Sequence, residues 1–249
     1  MRYFLEVSYK GTNYAGFQIQ KNGPTIQGEI EKALATVLRT EVALTGSSRT
    51  DAGVHALQNY FHFDLSVTYD PAALYNINAV LNRDIVVRSV FPVPDDAHCR
   101  FLATARTYKY YISIKKDPFT TDTAWFYPYA VDLELLKLAA TALFDYVDYT
   151  AFAKRNTQVF THNCSILASA WTVENSGLIY TVKANRFLRG MVRALVGTML
   201  LVGRKKMALT QFKNIIESLD STKASFATPA HGLFLTSVEY PSSIVSSGS

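Results

Sequence analysis

The chain has 249 residues, 49% of them hydrophobic and 18% charged, with a formal net charge of +5. That length serves one large domain or two modest ones, and the apolar fraction builds a core, which excludes a disordered chain. The excess of positive charge favours a polyanionic partner only mildly and is not by itself a nucleic-acid signal.

The first element alternates, with Tyr3, Leu5, Val7 and Tyr9 on one face of a strand that Gly11 and Gly16 end. Thr25 caps a helix whose apolar residues Ile26, Ile30, Ala33, Leu34, Val37 and Leu38 form one stripe. A short strand at 42–44 leads into the polar loop Ser47-Ser48-Arg49-Thr50-Asp51-Ala52-Gly53-Val54-His55, followed by a strand at 58–63. Asp70-Pro71 opens a helix, with Asp70 as N-cap and Pro71 at the first helical position, bearing Leu74, Ile77 and Leu81. A strand spans 85–91, and Pro92-Val93-Pro94-Asp95-Asp96 marks a boundary.

The pattern then restarts. A strand at 107–114 places Tyr108, Tyr110, Ile112 and Ile114 on one face, and Asp132 caps a helix to about Phe144. Strands at 166–173 and 178–184 pair as a hairpin around Glu174-Asn175-Ser176-Gly177. A helix over 188–202 follows, then one capped by Thr210 with Phe212, Ile215, Ile216 and Leu219, and a final strand at 232–240. The expected architecture is α+β: two domains, each a helix-backed, mainly antiparallel sheet, over 1–103 and 104–241, with a mobile Ser-rich tail at 242–249.

Three stretches could carry chemistry. Asp51 lies in a loop between apolar segments; it is either a turn residue bonding its own backbone or a reactive carboxylate, which would need a positive partner and a cleft. Arg49 is two residues before it, and His55, four after it, is a base or a packing residue. On a helix, Arg186, Arg189 and Arg193 fall at i, i+3 and i+7, either a solvated basic face or a phosphate-facing strip; Gly190 and Gly197 in that stretch call for close packing. Arg106-Thr107-Tyr108-Lys109-Tyr110-Tyr111 is a half-buried strand or a platform for a splayed base.

Other chemistries find little support. Cys99 and Cys164 are too few for a disulfide framework. His98-Cys99 and His162/Cys164 lack the usual zinc spacings, so no metal is expected. There is no Walker loop, dinucleotide fingerprint or nucleophile elbow, so any chemistry is expected to be cofactor-free. The longest apolar run, 194–203, is half a membrane span, and Met1-Arg2-Tyr3-Phe4-Leu5-Glu6 does not open a signal peptide. A soluble cytoplasmic protein without membrane association is expected.

Taken in order, several segments resemble the TruA family of tRNA pseudouridine synthases. They are Tyr9-Lys10-Gly11-Thr12-Asn13-Tyr14-Ala15-Gly16-Phe17-Gln18 with Thr25-Ile26-Gln27, then Arg49-Thr50-Asp51-Ala52-Gly53-Val54-His55-Ala56, the most specific. Ala105-Arg106-Thr107-Tyr108-Lys109-Tyr110, Phe187-Leu188-Arg189-Gly190-Met191-Val192-Arg193 and Pro229-Ala230-His231-Gly232-Leu233 complete the set, so the resemblance runs from Arg2 to Tyr240. It implies a pseudouridine synthase fold with the active-site cleft between the two domains. It implies isomerisation of uridine to pseudouridine on the 3′ side of the tRNA anticodon arm, at positions 38–40, by a homodimer that binds tRNA across both subunits. By the resemblance Asp51 is the essential carboxylate, Tyr108 stacks on the target base, and Arg193 pairs with Asp51. Arg49, His55, Arg186 and Arg189 are expected RNA-contacting residues, Arg49 holding the flipped nucleotide. Lys154 and Arg155 begin a further basic loop, either RNA-contacting or simply solvated. Whether the carboxylate attacks C1′ or deprotonates C2′ stays open. In one departure, Ser48 stands where the family usually has Gly, a steric cost if that position needs positive φ.

Two other classes fit these motifs less well. A non-catalytic RNA-binding protein on the same scaffold would have no use for Asp51, Tyr108, Arg49 and Arg193 together. A glycosidase needs two carboxylates flanking the bond, and no second acidic residue accompanies Asp51 in these motifs.

Overall fold

A computed structural model describes residues 1–155, 160–174 and 177–245. In chain order the elements are β1 (Arg2–Tyr9), α1 (Ile26–Leu38), β2 (Thr45–Gly46), β3 (His55–Asp64), α2 (Ala73–Val80), β4 (Ile85–Val93), β5 (Ala105–Ser113), β6 (Trp125–Phe126), α3 (Leu133–Ala142), β7 (Ile166–Glu174), β8 (Gly177–Ala184), α4 (Met191–Gly203), α5 (Leu209–Glu217), β9 (Leu233–Glu239) and α6 (Ser242–Val245). The class is α+β with mostly antiparallel pairing, as the order of elements predicts. The chain forms two compact units: Met1–Ala105 with Phe234 onward, and Arg106–Leu233. Among the described residues, no helix is long and apolar enough to cross a membrane.

In the first unit β1 runs antiparallel between β3 and β4, with Leu5 opposite Phe61 and Val90. Tyr3, Leu5, Val7 and Tyr9 are all buried, as their alternation requires. Phe4, on the other face, is buried too, under Tyr60, Phe91 and Tyr240. β9 joins this sheet in parallel with the start of β3, His55 opposite Phe234 and Ala56 opposite Leu235. β4 is an edge strand, so it runs through Pro92 to Val93 beyond the expected end, where a missing N–H is tolerated.

Helix α1 is capped as expected, Gly28 N donating to Thr25 Oγ1 at 3.2 Å, and it buries Ile26, Ile30, Ala33 and Leu34. Two details differ from expectation. The strand at 42–44 is a loop, because α1 side chains take its backbone: Leu44 N donates to Glu31 Oε1 and Gln27 Nε2 donates to Leu44 O, so pairing begins only at β2. Asp70 sits one turn ahead of α2, accepting from Ala72 N at 2.9 Å, so it closes the preceding turn rather than capping the helix.

The second unit is built on β5–β8–β7, antiparallel throughout, with Tyr108 opposite Val182 and Trp171 opposite Tyr180. β6 adds a short parallel edge at Ile112. Asp132 caps α3 by accepting from Glu134 N and Leu135 N. Helix α5 starts after Ala208, whose N–H donates to Gln211 Oε1; Thr210 lies inside the helix and is not its cap. The β7–β8 hairpin forms with Glu174 opposite Gly177; Asn175 and Ser176 lie outside the described residues, as do 156–159 and 246–249.

Helix α4 departs most from expectation. It begins at Met191 rather than Leu188, because Gly190 has φ 75°, a left-handed backbone that breaks helical continuation. Nearly every residue of α4 is buried, so it is a core helix without a solvated basic face. Arg186 and Arg189 lie before it in the connecting turn, and only Arg193 is on it.

Candidate active site

The Asp51 loop leaves β2 and enters β3, and a buried polar network holds it from beneath. Asn59 on β3 is fully buried; its Nδ2 donates to Ser48 O at 2.9 Å and to the Tyr9 hydroxyl at 3.1 Å. That leaves the Tyr9 proton for Thr50 Oγ1, 2.9 Å away. Burial pushes the Tyr9 phenol up to about 12, so it stays a neutral donor. The Thr50 carbonyl accepts from Phe17 N at 3.1 Å. Ser48 and Thr50, the residues flanking Arg49, are thereby fixed to β1, β3 and the segment after Gly11, while Arg49 is exposed between them.

Asp51 is half-buried, next in sequence to this anchorage. Its main chain closes the following turn, Val54 N donating to Asp51 O at 3.1 Å, with Gly53 at φ 78° in the third position. Gly16, at φ 117°, lies against the loop: a Cβ there would stand 3.2 Å from both Thr50 O and Ala52 N.

His55 lies below the loop. It is 1% exposed, its Nδ1 accepts from Gly11 N at 3.0 Å, and its ring stacks on Phe234 at 4.4 Å. Such a ring offers no surface to RNA; it ties the turn after β1 to the start of β3. Ser48 does not have positive φ, so no backbone strain attaches to it in place of Gly. The cost of a side chain there is instead its buried hydroxyl, which has no hydrogen-bond partner.

In the second unit, Arg193 is half-buried on the first turn of α4, and its Nε donates to Thr228 O at 2.7 Å. The stretch carrying Thr228 is packed onto α4. Ser225 N donates to Thr198 Oγ1, and a Cβ at Gly197 would stand 2.5 Å from Thr228 Oγ1. The next residue, Pro229, accepts from the Tyr110 hydroxyl at 2.8 Å. Tyr108, two residues earlier on β5 and on the same buried face, meets Phe187 edge-on at 5.1 Å.

The basic residues before α4 gather with those after the Thr150–Phe152 turn. Lys154 N donates to Arg189 O at 2.9 Å, and Lys154, Arg155 and Arg189 are all exposed. Arg155 Nε reaches Ser221 Oγ at 3.3 Å. Arg186 is half-buried, and its charge bears on Cys164. A turn and a backbone hydrogen bond therefore assemble this basic group, where sequence spacing suggested a helical face. Sequence reasoning missed Asn59, Thr228 and the supporting role of Tyr9. Tyr9 was legible as a buried strand residue, whereas Asn59 and Thr228 stand out only once their partners are in place.

A family model described as tRNA pseudouridine synthase matches residues 6–102 and 139–241. Proteins named tRNA pseudouridine synthase A are similar over almost the full length. That of Parabacteroides distasonis is 46% identical over 242 residues, 96% of each chain. That of Bacteroides thetaiotaomicron is 45% identical over 249 residues, 98% of this chain and 93% of the relative. That of Staphylococcus aureus is 35% identical over 241 residues, 96% of this chain and 91% of the relative. The chain belongs to the tRNA pseudouridine synthase family.

Proposed function

We infer that the protein isomerises uridine to pseudouridine in tRNA, with Asp51 as the essential carboxylate. Family membership supports the reaction. One observation carries the assignment of Asp51: its loop is clamped by the buried Asn59–Tyr9–Thr50 network, and the backbone closes its turn. A loop mounted this way is held in place before substrate arrives, which lowers the reorganisation needed in the transition state.

In the reaction the N1–C1′ bond breaks, uracil rotates, C5 bonds to C1′, and the C5 proton is lost as N1 gains one. Atoms and electrons balance within the nucleotide, so the isomerisation needs no redox carrier. Asp51 either bonds to C1′ and leaves again, or removes and returns the C2′ proton. Arg193, oriented through Thr228, pairs with Asp51, and Tyr108 stacks on the uracil. Arg49 holds the flipped nucleotide, and Lys154, Arg155, Arg186 and Arg189 take phosphates.

The target uridines are those on the 3′ side of the anticodon arm, at positions 38–40, and the working form is a homodimer in the cytoplasm. The buried thiols of Cys99 and Cys164, which are not joined in a disulfide, agree with a reducing compartment. The test is Asp51→Asn: pseudouridine formation in a tRNA transcript is abolished while tRNA binding persists. Full activity in that variant would refute the assignment. Mapping pseudouridines in tRNA from cells lacking the protein identifies the positions, and light scattering gives the subunit number.

A further inference from the structure

Three metal-ligating side chains meet in the first unit, far from any pairing that sequence spacing suggests. His62 on β3 lies 37 residues before Cys99, and its Nδ1 is 3.2 Å from Cys99 Sγ. His98 packs edge-on against His62, ring centroids 4.7 Å apart. The ligating atoms of His62, His98 and Cys99 all lie within 4.8 Å of one another. The Thr45 carbonyl oxygen faces the same sulfur at 3.1 Å.

Cys99 N donates to His62 Nδ1 at 3.3 Å, so that nitrogen presents a lone pair. A divalent ion that displaces the Cys99 thiol proton would take that lone pair and the thiolate together. With Zn–N about 2.0 Å and Zn–S about 2.3 Å, the 3.2 Å Nδ1···Sγ separation subtends about 95° at an ion, so the two side chains part by about 0.3 Å to reach tetrahedral geometry. The positive charge of Arg2, which bears on both histidines, is held by Asp64 through two 2.8 Å hydrogen bonds.

We propose that His62, His98 and Cys99 bind a zinc ion, with the Thr45 carbonyl as an oxygen donor, and that the ion has a structural role. Imidazole and thiolate ligands suit zinc, and binding releases the Cys99 proton to solvent. His62 is seven residues along β3 from His55, a rise of ~23 Å, so the ion is remote from the Asp51 loop and pins β2 and the 98–101 turn to the middle of the sheet.

The test is a cobalt(II) titration of the purified full-length chain, followed by the near-ultraviolet thiolate-to-cobalt charge-transfer band, with zinc competition. The expected result is one equivalent bound, displaced by zinc, no band in Cys99→Ser, and an unchanged band in Cys164→Ser. His98→Ala, at the half-buried rim of the cluster, should weaken cobalt binding at least about tenfold. It keeps the test decisive if Cys99→Ser fails to fold. No band in the folded wild-type chain overturns the proposal, as does a band that survives Cys99→Ser or is unaltered in His98→Ala. Pseudouridine formation by metal-free Asp51-intact protein is read separately, so failure here leaves the catalytic assignment untouched.

Discussion

Arg193 Nε donates to the carbonyl oxygen of Thr228 at 2.7 Å, which sets the plane of its guanidinium from a segment 35 residues away. A lysine supplies the charge without a fixed planar fork. Arg193→Lys should keep the fold but lower kcat at least about tenfold, ~1.4 kcal/mol in the barrier, with a smaller change in KM. Single-turnover conversion of a tRNA transcript measures it; wild-type kcat would remove orientation from the role of Arg193.

Gly197→Ala tests the same support from the other side. In a helix interior this exchange ordinarily gains ~1 kcal/mol. Here the new methyl would stand 2.5 Å from Thr228 Oγ1 and 2.7 Å from Ser225 O. The sign should therefore reverse to a loss of about 1–3 kcal/mol, accompanied by a fall in kcat. Urea unfolding and turnover of the same preparation decide it, and a stabilised, fully active variant would contradict the packing described.

Asn59→Ala would orphan the Ser48 carbonyl and remove a partner from the Tyr9 hydroxyl, both buried. A loss of about 2–3 kcal/mol is expected. Activity of the folded fraction should drop further, because the anchor of the Asp51 loop is gone. Denaturant midpoints and kcat corrected for folded protein separate the two effects.

Alkaline pH should destabilise the fold in a defined window. Burial pushes the Tyr9 phenol, and likewise that of Tyr69, up to about 12 from an ordinary 10. Above pH 10 the unfolded chain releases these protons while the folded chain keeps them, so stability is full below 10 and falls as pH rises towards 12. Urea midpoints from pH 8.5 to 11 should decline, and Tyr9→Phe should decline less steeply; a flat wild-type profile would exclude this linkage.

Affinity for tRNA should fall steeply with salt if Lys154, Arg155 and Arg189 neutralise phosphates. Replacing any one with Ala should weaken binding to different tRNAs about equally and reduce the slope of log K against log salt by about 1. Filter binding at several salt concentrations gives the slopes.

The regular elements were legible where one residue type decides the matter. The buried stripe of α1 and its Thr25 cap needed only periodicity, and β1 needed only alternation. Errors arose where long-range partners override local pattern. The 42–44 segment has strand composition, but Gln27 and Glu31 claim its backbone. The three arginines fit a helical face, but Gly190 ends the helix register before two of them join it. Asp51 stood out by its setting, while Asn59 and Thr228, buried polar residues in apolar stretches, acquire meaning only from neighbours far along the chain.

The parallel pairing of His55 with Phe234 also sets a timetable. A chain emerging from the ribosome makes its Asp51 loop well before β9, the strand beside the base of that loop. The first unit therefore waits for the whole of the second to be synthesised before its sheet is complete. A message truncated shortly before Phe234 would yield a protein with an unpaired β3 edge at His55 and Ala56, prone to join other chains, and not a smaller working enzyme.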